Sequence, residues 1–171
     1  MEDSKKKLEQ QQIEEEETIE SSTLQFFEGL GISLELPKIS SNHDLLSELL
    51  INLLKVDSIS RGHVSCSFSV LPSVANYYKG LHGGAVASIA ERLAIACART
   101  IVTEEKPLFL VELSISYLSS APMNAELSAV GSVVRSGRNL TVVSIEIRLK
   151  ETKKLLYTAQ ATFHQLPAAK L

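Results

Sequence analysis

No run of eighteen apolar residues occurs in the chain, so no helix of it is expected to span a membrane. Cysteine is scarce. Cys66 and Cys97 sit in a strand-like and a helix-like apolar run, where they read as small core hydrophobes of a reducing compartment and not as a disulfide. The four histidines are scattered without metal-ligand spacing, so no metal is expected. A basic surplus is missing too. Residues 1–20 hold eight acids against three lysines, and the remainder holds 12 acids against 14 bases, which excludes a nucleic-acid-binding face. The charge asymmetry belongs to residues 1–22, a Gln/Glu-rich stretch poor in aromatics that reads as a disordered or loosely helical acidic tail. It has neither the acid-poor, Arg/Ser-rich make-up of a transit peptide nor the apolar centre of a signal peptide. There is no internal repeat. With 171 residues, 44% of them hydrophobic, the chain is expected to form one globular domain with a real core.

What is present is organised around Leu81-His82-Gly83-Gly84 and the apolar stretch that follows to Ala98. Alanines alternate with aliphatics and only Ser88, Glu91, Arg92 and Arg99 interrupt, so the spacing predicts a helix apolar on almost every side and buried. A carboxylate in such a helix is costly unless something pairs with it or needs it. Glu91 is that misfit. Around this helix the pattern is mostly period two. A short apolar turn is expected near 24–34, an amphipathic helix over Asp44–Leu53, and a strand near 54–60 joined by Arg61-Gly62 to a strand with Val64, Cys66, Phe68 and Val70 inward. After the helix, apolar rows run through Val111, Leu113, Ile115 and Tyr117, then Ala125, Leu127, Ala129 and Val133. A turn at 135–139 leads to rows through Thr141, Val143, Ile145, Ile147 and Leu149, and then Leu155, Tyr157, Ala159, Ala161 and Phe163. Strands joined by short turns are antiparallel neighbours. The fold class is therefore α+β: an antiparallel sheet wrapped around one long central helix.

With Asn76, the Leu81-His82-Gly83-Gly84 turn, Glu91, and Tyr117-Leu118-Ser119-Ser120-Ala121-Pro122 in that order, residues 45–165 resemble the hotdog-fold thioesterases. The match is to the small acyl-CoA thioesterases of the H-G-G type, those like acyl-CoA thioesterase 13 and the small peroxisomal enzymes of plants. The resemblance implies a hotdog domain over 23–166, a homodimer with one continuous sheet, usually paired into a homotetramer, and an active site across the dimer interface. Helix geometry agrees independently. Nine residues separate His82 from Glu91, about 13 Å of helix axis and roughly opposite faces, so the two reach one substrate only from different chains.

By the same resemblance, the Gly83 N–H and the Asn76 amide hold the thioester carbonyl oxygen, and Glu91 of the partner acts as general base or as nucleophile. His82 orients the site or helps the thiolate leave. Gly84, Arg135, Ser136, Gly137 and Arg138 are the residues implied for coenzyme A, whose phosphates call for basic partners. No cofactor is implied. Plainer alternatives stand beside each residue: an ion pair of Glu91 with Arg92 or Arg99, a helix-capping His82, an exposed hairpin that merely carries Arg135 and Arg138, and a loop charge for Lys79 instead of a phosphate contact. The sequence departs from the family at two positions. Leu110 stands where one branch has a hydroxyl residue that places the water, and Ile95 stands where the bacterial naphthoyl-CoA branch has a serine; Ser114 and Ser116 are the available substitutes.

Residues 167–171 end in Ala169-Lys170-Leu171, a variant of the peroxisomal S-K-L address. It implies an import receptor as partner and a peroxisomal location, with the cytoplasm as alternative. The activity expected is hydrolysis of fatty acyl-CoA to free fatty acid and CoA, in lipid metabolism. The rivals are a thioesterase for an aromatic ester such as 1,4-dihydroxy-2-naphthoyl-CoA, and a non-catalytic acyl-CoA-binding protein on the same fold.

Overall fold

The computed structural model describes residues 7, 10, 11, 14, 21, 49, 50, 52–103 and 105–165. The chain forms two units, Met1–Leu45 and Leu46–Leu171. In the first, Lys7, Gln10, Gln11, Glu14 and Ser21 are helical and exposed. The turn expected near 24–34, much of the helix expected over Asp44–Leu53, and the Ala169-Lys170-Leu171 end lie outside the described residues. Within that expected helix Leu49, Leu50, Asn52 and Leu53 are helical, and Leu50 and Leu53 are buried.

The second unit holds strands β1 (Lys55–Ser60) and β2 (His63–Ser69), helix α1 (Gly83–Arg99), and strands β3 (Leu108–Tyr117), β4 (Glu126–Ser136), β5 (Leu140–Leu149) and β6 (Leu155–Gln165). They form one antiparallel sheet in the order β1-β2-β4-β5-β6-β3. Gly62 takes φ +76° in the turn between β1 and β2, a conformation that glycine reaches without the Cβ penalty. The inward rows are those the period-two pattern predicts in β2, β4 and β5, with Val64, Phe68, Leu127, Val143, Ile145 and Ile147 all buried. Cys66 and Cys97 are free thiols in this core, and burial pushes both above the ordinary thiol value, so they stay protonated and inert.

Two details differ from the sequence pattern. β3 and β4 follow each other in the chain but are not neighbours: β3 pairs with β6 at one edge and β4 pairs with β2. The crossing by α1 carries the chain over the sheet face before β3 begins, and residues 118–125 bring it back. Within β3 the register shifts between Leu110 and Glu112, so Val111 leaves the apolar row and is 59% exposed. Leu108 and Leu110 face inward before the bulge, and Leu113 and Ile115 after it.

α1 buries Val86, Ile89, Ala90, Leu93, Ala94, Cys97 and Ala98 against the sheet. The approach is close: a Cβ on Gly131 of β4 would stand 3.2 Å from Leu93 Cγ. Each large aliphatic chain buried here contributes about 1.5–3 kcal/mol. Burial on almost every side, expected from the sequence, is not met within one protomer. Gly84, Arg92 and Ala96 are exposed, while Ser88, Glu91 and Ile95 are half-buried. The face of α1 away from the sheet is open.

Candidate active site

A helix begins with backbone N–H groups that have no partner inside it, and what surrounds them decides their use. The chain reaches α1 through a 3-10 turn, Pro72–Val74, and a loop pinned on both sides. His82 N–H donates to the Val74 carbonyl at 2.9 Å, and Leu81 N–H donates to the Ala121 carbonyl at 2.9 Å. Inside the loop, Asn76 N–H donates to the Gly80 carbonyl at 2.7 Å, and Gly80 N–H donates to Asn76 Oδ1 at 3.0 Å. These two bonds fix the Asn76 side chain by its oxygen. Its amide NH2 has no protein partner among the described residues. Gly80 packs closely here: a Cβ there would lie 2.6 Å from Ser120 Oγ and would turn that side chain away.

His82 is the N-cap of α1, with Nδ1 accepting from Gly84 N–H at 2.9 Å. An accepting Nδ1 places the proton of the neutral ring on Nε2. The capping role weighed as an alternative from the sequence is thus the role the geometry displays. It also explains one of the two glycines: a Cβ on Gly84 would meet His82 Nδ1 at 3.1 Å and Cε1 at 3.3 Å. Gly83 differs. Its φ is not positive, and a Cβ would find only ordinary contact with Tyr117, at 3.5 Å from Cε1. Nothing in the protomer demands glycine at 83, and its N–H has no protein acceptor among the described residues. The result is a bare backbone donor at the positive end of a helix dipole.

Tyr117, from the end of β3, braces this entrance. Its hydroxyl donates to the Gly83 carbonyl at 3.1 Å, and its ring meets Tyr157 edge to face, centroids 5.8 Å apart at 75°. Tyr157 is buried, which pushes its phenol above the ordinary value, and its oxygen accepts from Ala121 N–H at 3.0 Å. Sequence reasoning counted Tyr117 as a family match but missed this bracing, since 34 residues separate it from Gly83 and no local pattern marks the contact.

Asn76, His82, Gly83 and Gly84 are therefore brought together, and the other candidates are not. Glu91 is half-buried, eight residues and about 12 Å of helix axis beyond Gly83. It has no hydrogen-bond or ion-pair partner among the described residues. The pairing with Arg99 is not made, because Arg99 Nη1 donates to the carbonyls of Thr103 and Lys106 at 2.8 and 2.9 Å. Arg135, Ser136, Gly137 and Arg138 lie at the far end of β4, by the carboxyl end of α1: Val133 and Ile101 both approach Gly62 there. Arg135 and Ser136 belong to the strand, which leaves 137–139 as the turn. The two arginines, both exposed, line a cleft of about 460 Å3 with Asn139 and Leu140. Ser136 Oγ is engaged with Thr141 Oγ1 at 2.9 Å. Leu110 and Ile95 pack against the core, whereas Ser114 and Ser116 are exposed on the other face of β3, away from α1.

One protomer thus presents an acceptor-seeking helix entrance with the capping imidazole beside it and, among the described residues, no carboxylate bonded to it. Residues 78–156 match the family model of the thioesterase superfamily. Acyl-coenzyme A thioesterase 13 of Homo sapiens is 26% identical over 118 residues, covering 68% of this chain and 83% of that protein. Among solved structures, zebrafish thioesterase superfamily member 2 superposes with a TM-score of 0.65 at 21% identity, covering 82% of this chain and 93% of that one. The Streptococcus mutans UA159 protein smu.793, solved bound to acetyl-CoA, superposes with a TM-score of 0.62 at 23% identity over 68% of this chain and 91% of that one. Sheet order, helix entrance and the match over residues 78–156 agree: this part of the chain is similar to the thioesterase superfamily, and its fold is that of the hotdog-fold thioesterase structures.

Proposed function

We propose that the chain hydrolyses fatty acyl-CoA to free fatty acid and CoA at a site completed by a second protomer. The observation that carries this reading is the pair of unengaged donors, Gly83 N–H at the helix start and the Asn76 amide on the pinned loop that leads into it. A thioester carbonyl accepts both. As attack turns that oxygen into an oxyanion, the same donors bind it more strongly, which is where catalysis gains most. The attacking water loses its proton to Glu91 of the second protomer, or the carboxylate itself attacks and the acyl-enzyme is then hydrolysed. The tetrahedral intermediate collapses with departure of the CoA thiolate, assisted by the Nε2–H of His82. A two-fold axis along the open face of α1 brings one chain's Glu91 to the other's entrance, about 12 Å of helix away from its own. The Arg135–Arg138 hairpin, also remote from its own entrance, then serves the phosphates of CoA bound to the twin. The name of the human relative and the acetyl-CoA held by the streptococcal neighbour support the substrate class.

Thiol release from a panel running from acetyl-CoA to palmitoyl-CoA tests the reaction. Glu91→Gln should lower turnover by about 10²–10⁴-fold while the oligomer, followed by size exclusion, stays intact; unchanged turnover removes Glu91 from the mechanism. Co-assembly of Glu91→Gln protomers with Asn76→Ala protomers tests the sharing. Each variant alone is inactive, and the mixed dimer recovers one working site of two; no recovery rules the shared site out. Rates on 1,4-dihydroxy-2-naphthoyl-CoA separate the aromatic ester from fatty esters, and tight binding without thiol release would make the chain an acyl-CoA-binding protein. The peroxisomal location is part of the proposal: a fluorescent fusion keeping Ala169-Lys170-Leu171 at its carboxyl end should co-localise with a peroxisomal marker, and removal of Leu171 should leave it diffuse.

A further inference from the structure

We infer that the acyl tail lodges in a cavity within each protomer, beside the entrance of α1, and that this cavity sets the length of chain accepted. The inference rests on the hydrolysis proposed above and names the substrate class of that same site. A cavity of about 340 Å3 is walled by Leu49 and Leu50 ahead of β1, by Val74 and Ala75 of the 3-10 turn, and by Ala85 and Ser88 of α1. Its lining also includes Ala75 and His82, the chain neighbours of Asn76 and Gly83, so it opens where the carbonyl would be held.

The walls favour an aliphatic occupant over the pantetheine arm. Pantetheine carries two amides, each wanting a polar partner, and the lining side chains offer only Ser73, which is exposed, His82 and Ser88. The Ser88 hydroxyl already donates to the Gly84 carbonyl at 2.9 Å, and His82 Nδ1 is taken by Gly84 N–H. Leu50 and Val74, each 3% exposed, supply a dry floor. The volume is near the lower end of ligand pockets, which start around 300 Å3. At about 30 Å3 for each water-sized group, a methylene among them, it takes on the order of ten carbons. Leu49 and Leu50 precede the residues that match the family model, 78–156, so this wall is a feature of the chain outside the matched segment.

The experiment is the chain-length profile of kcat/KM over saturated acyl-CoA esters from two to sixteen carbons. For the wild type it should climb by roughly fourfold for each methylene buried and level off near ten carbons. Ala85→Leu, which fills the cavity, should move the maximum to shorter chains, and Leu49→Ala, which enlarges it, should move the maximum to longer ones. Both variants are checked by melting and size exclusion, and each carries the test if the other fails to fold. Strong thiol release with the same maximum in wild type and variants overturns the cavity while leaving the hydrolysis standing. Absence of thiol release from every ester overturns the hydrolysis instead. Calorimetric binding of the non-hydrolysable decanyl-CoA thioether then decides the cavity: loss of affinity of about tenfold or more in Ala85→Leu upholds it, and equal affinity overturns it.

Discussion

The two ends of α1 are finished in opposite ways. At the carboxyl end the protein itself closes the carbonyls of Cys97 and Ala98. Thr100 N–H and its hydroxyl donate to the Cys97 carbonyl at 3.2 and 2.7 Å, and Ile101 and Val102 N–H donate to the Ala98 carbonyl at 3.0 and 2.9 Å. Gly62 N–H donates to Thr100 Oγ1 at 2.7 Å and ties the β1–β2 turn to this end, while Arg99 grips the chain beyond. At the amino end His82 satisfies Gly84 N–H alone, and Gly83 N–H and the Asn76 amide stay open. An unpaired donor shielded from water costs free energy that folding does not recover. A donor kept for a developing oxyanion gives that free energy back in the transition state. The closed end holds the fold together, and the open end is where a substrate completes it.

The sharpest way to break this contrast is Asn76→Asp. The new side chain still offers an oxygen to Gly80 N–H, so the loop keeps its 3.0 Å bond, but the amide donor becomes a second oxygen. We expect kcat to fall by about 10²–10³-fold, the usual loss for one oxyanion donor, with the melting temperature within a few degrees of wild type. Thiol-release kinetics and a thermal melt read the two effects separately. A variant that keeps its kcat would show that the open amide faces nothing that matters.

How far this site was legible in the sequence follows from distance along the chain. Asn76, His82 and Gly83 come together because eight residues of one pinned loop carry them all. Glu91 was legible as a misfit, since a carboxylate stands out in an apolar helix, and helix pitch alone kept it away from its own entrance. The inward rows of β2, β4 and β5 followed from period two. What pairing decides was hidden. The place of β3 at the edge depends on the crossover of α1, and the shift at Val111 depends on its alignment with β6, where Leu110 faces Phe163 and Glu112 faces Thr162. The open face of α1 was hidden too: Ala96 read as a core residue, and a single protomer leaves it exposed.

Tyr117→Phe sharpens the comparison at intermediate strength. The ring stays against Tyr157, and only the 3.1 Å bond to the Gly83 carbonyl is removed. A neutral hydrogen bond contributes about 1 kcal/mol, so a brace that holds Gly83 for the transition state should show as a roughly fivefold fall in kcat with KM unchanged. Equal falls in stability and activity, with no separate change in kcat at a temperature well below the melt, would make the bond merely structural.

Arg99→Met tests the closed end and has the smallest effect on turnover. The methionine keeps most of the apolar stem and loses both guanidinium bonds, to the Thr103 and Lys106 carbonyls. These are exposed, so the expected loss is about 1 kcal/mol, or roughly 2–4 °C in melting temperature for a chain of this size. Turnover at 25 °C should remain within twofold of wild type, because the entrance of α1 is some sixteen residues and about 24 Å of helix away. A large fall in kcat without a fall in stability would mean that the carboxyl end of α1 also reaches a substrate, as it would if the twin's CoA lay across it.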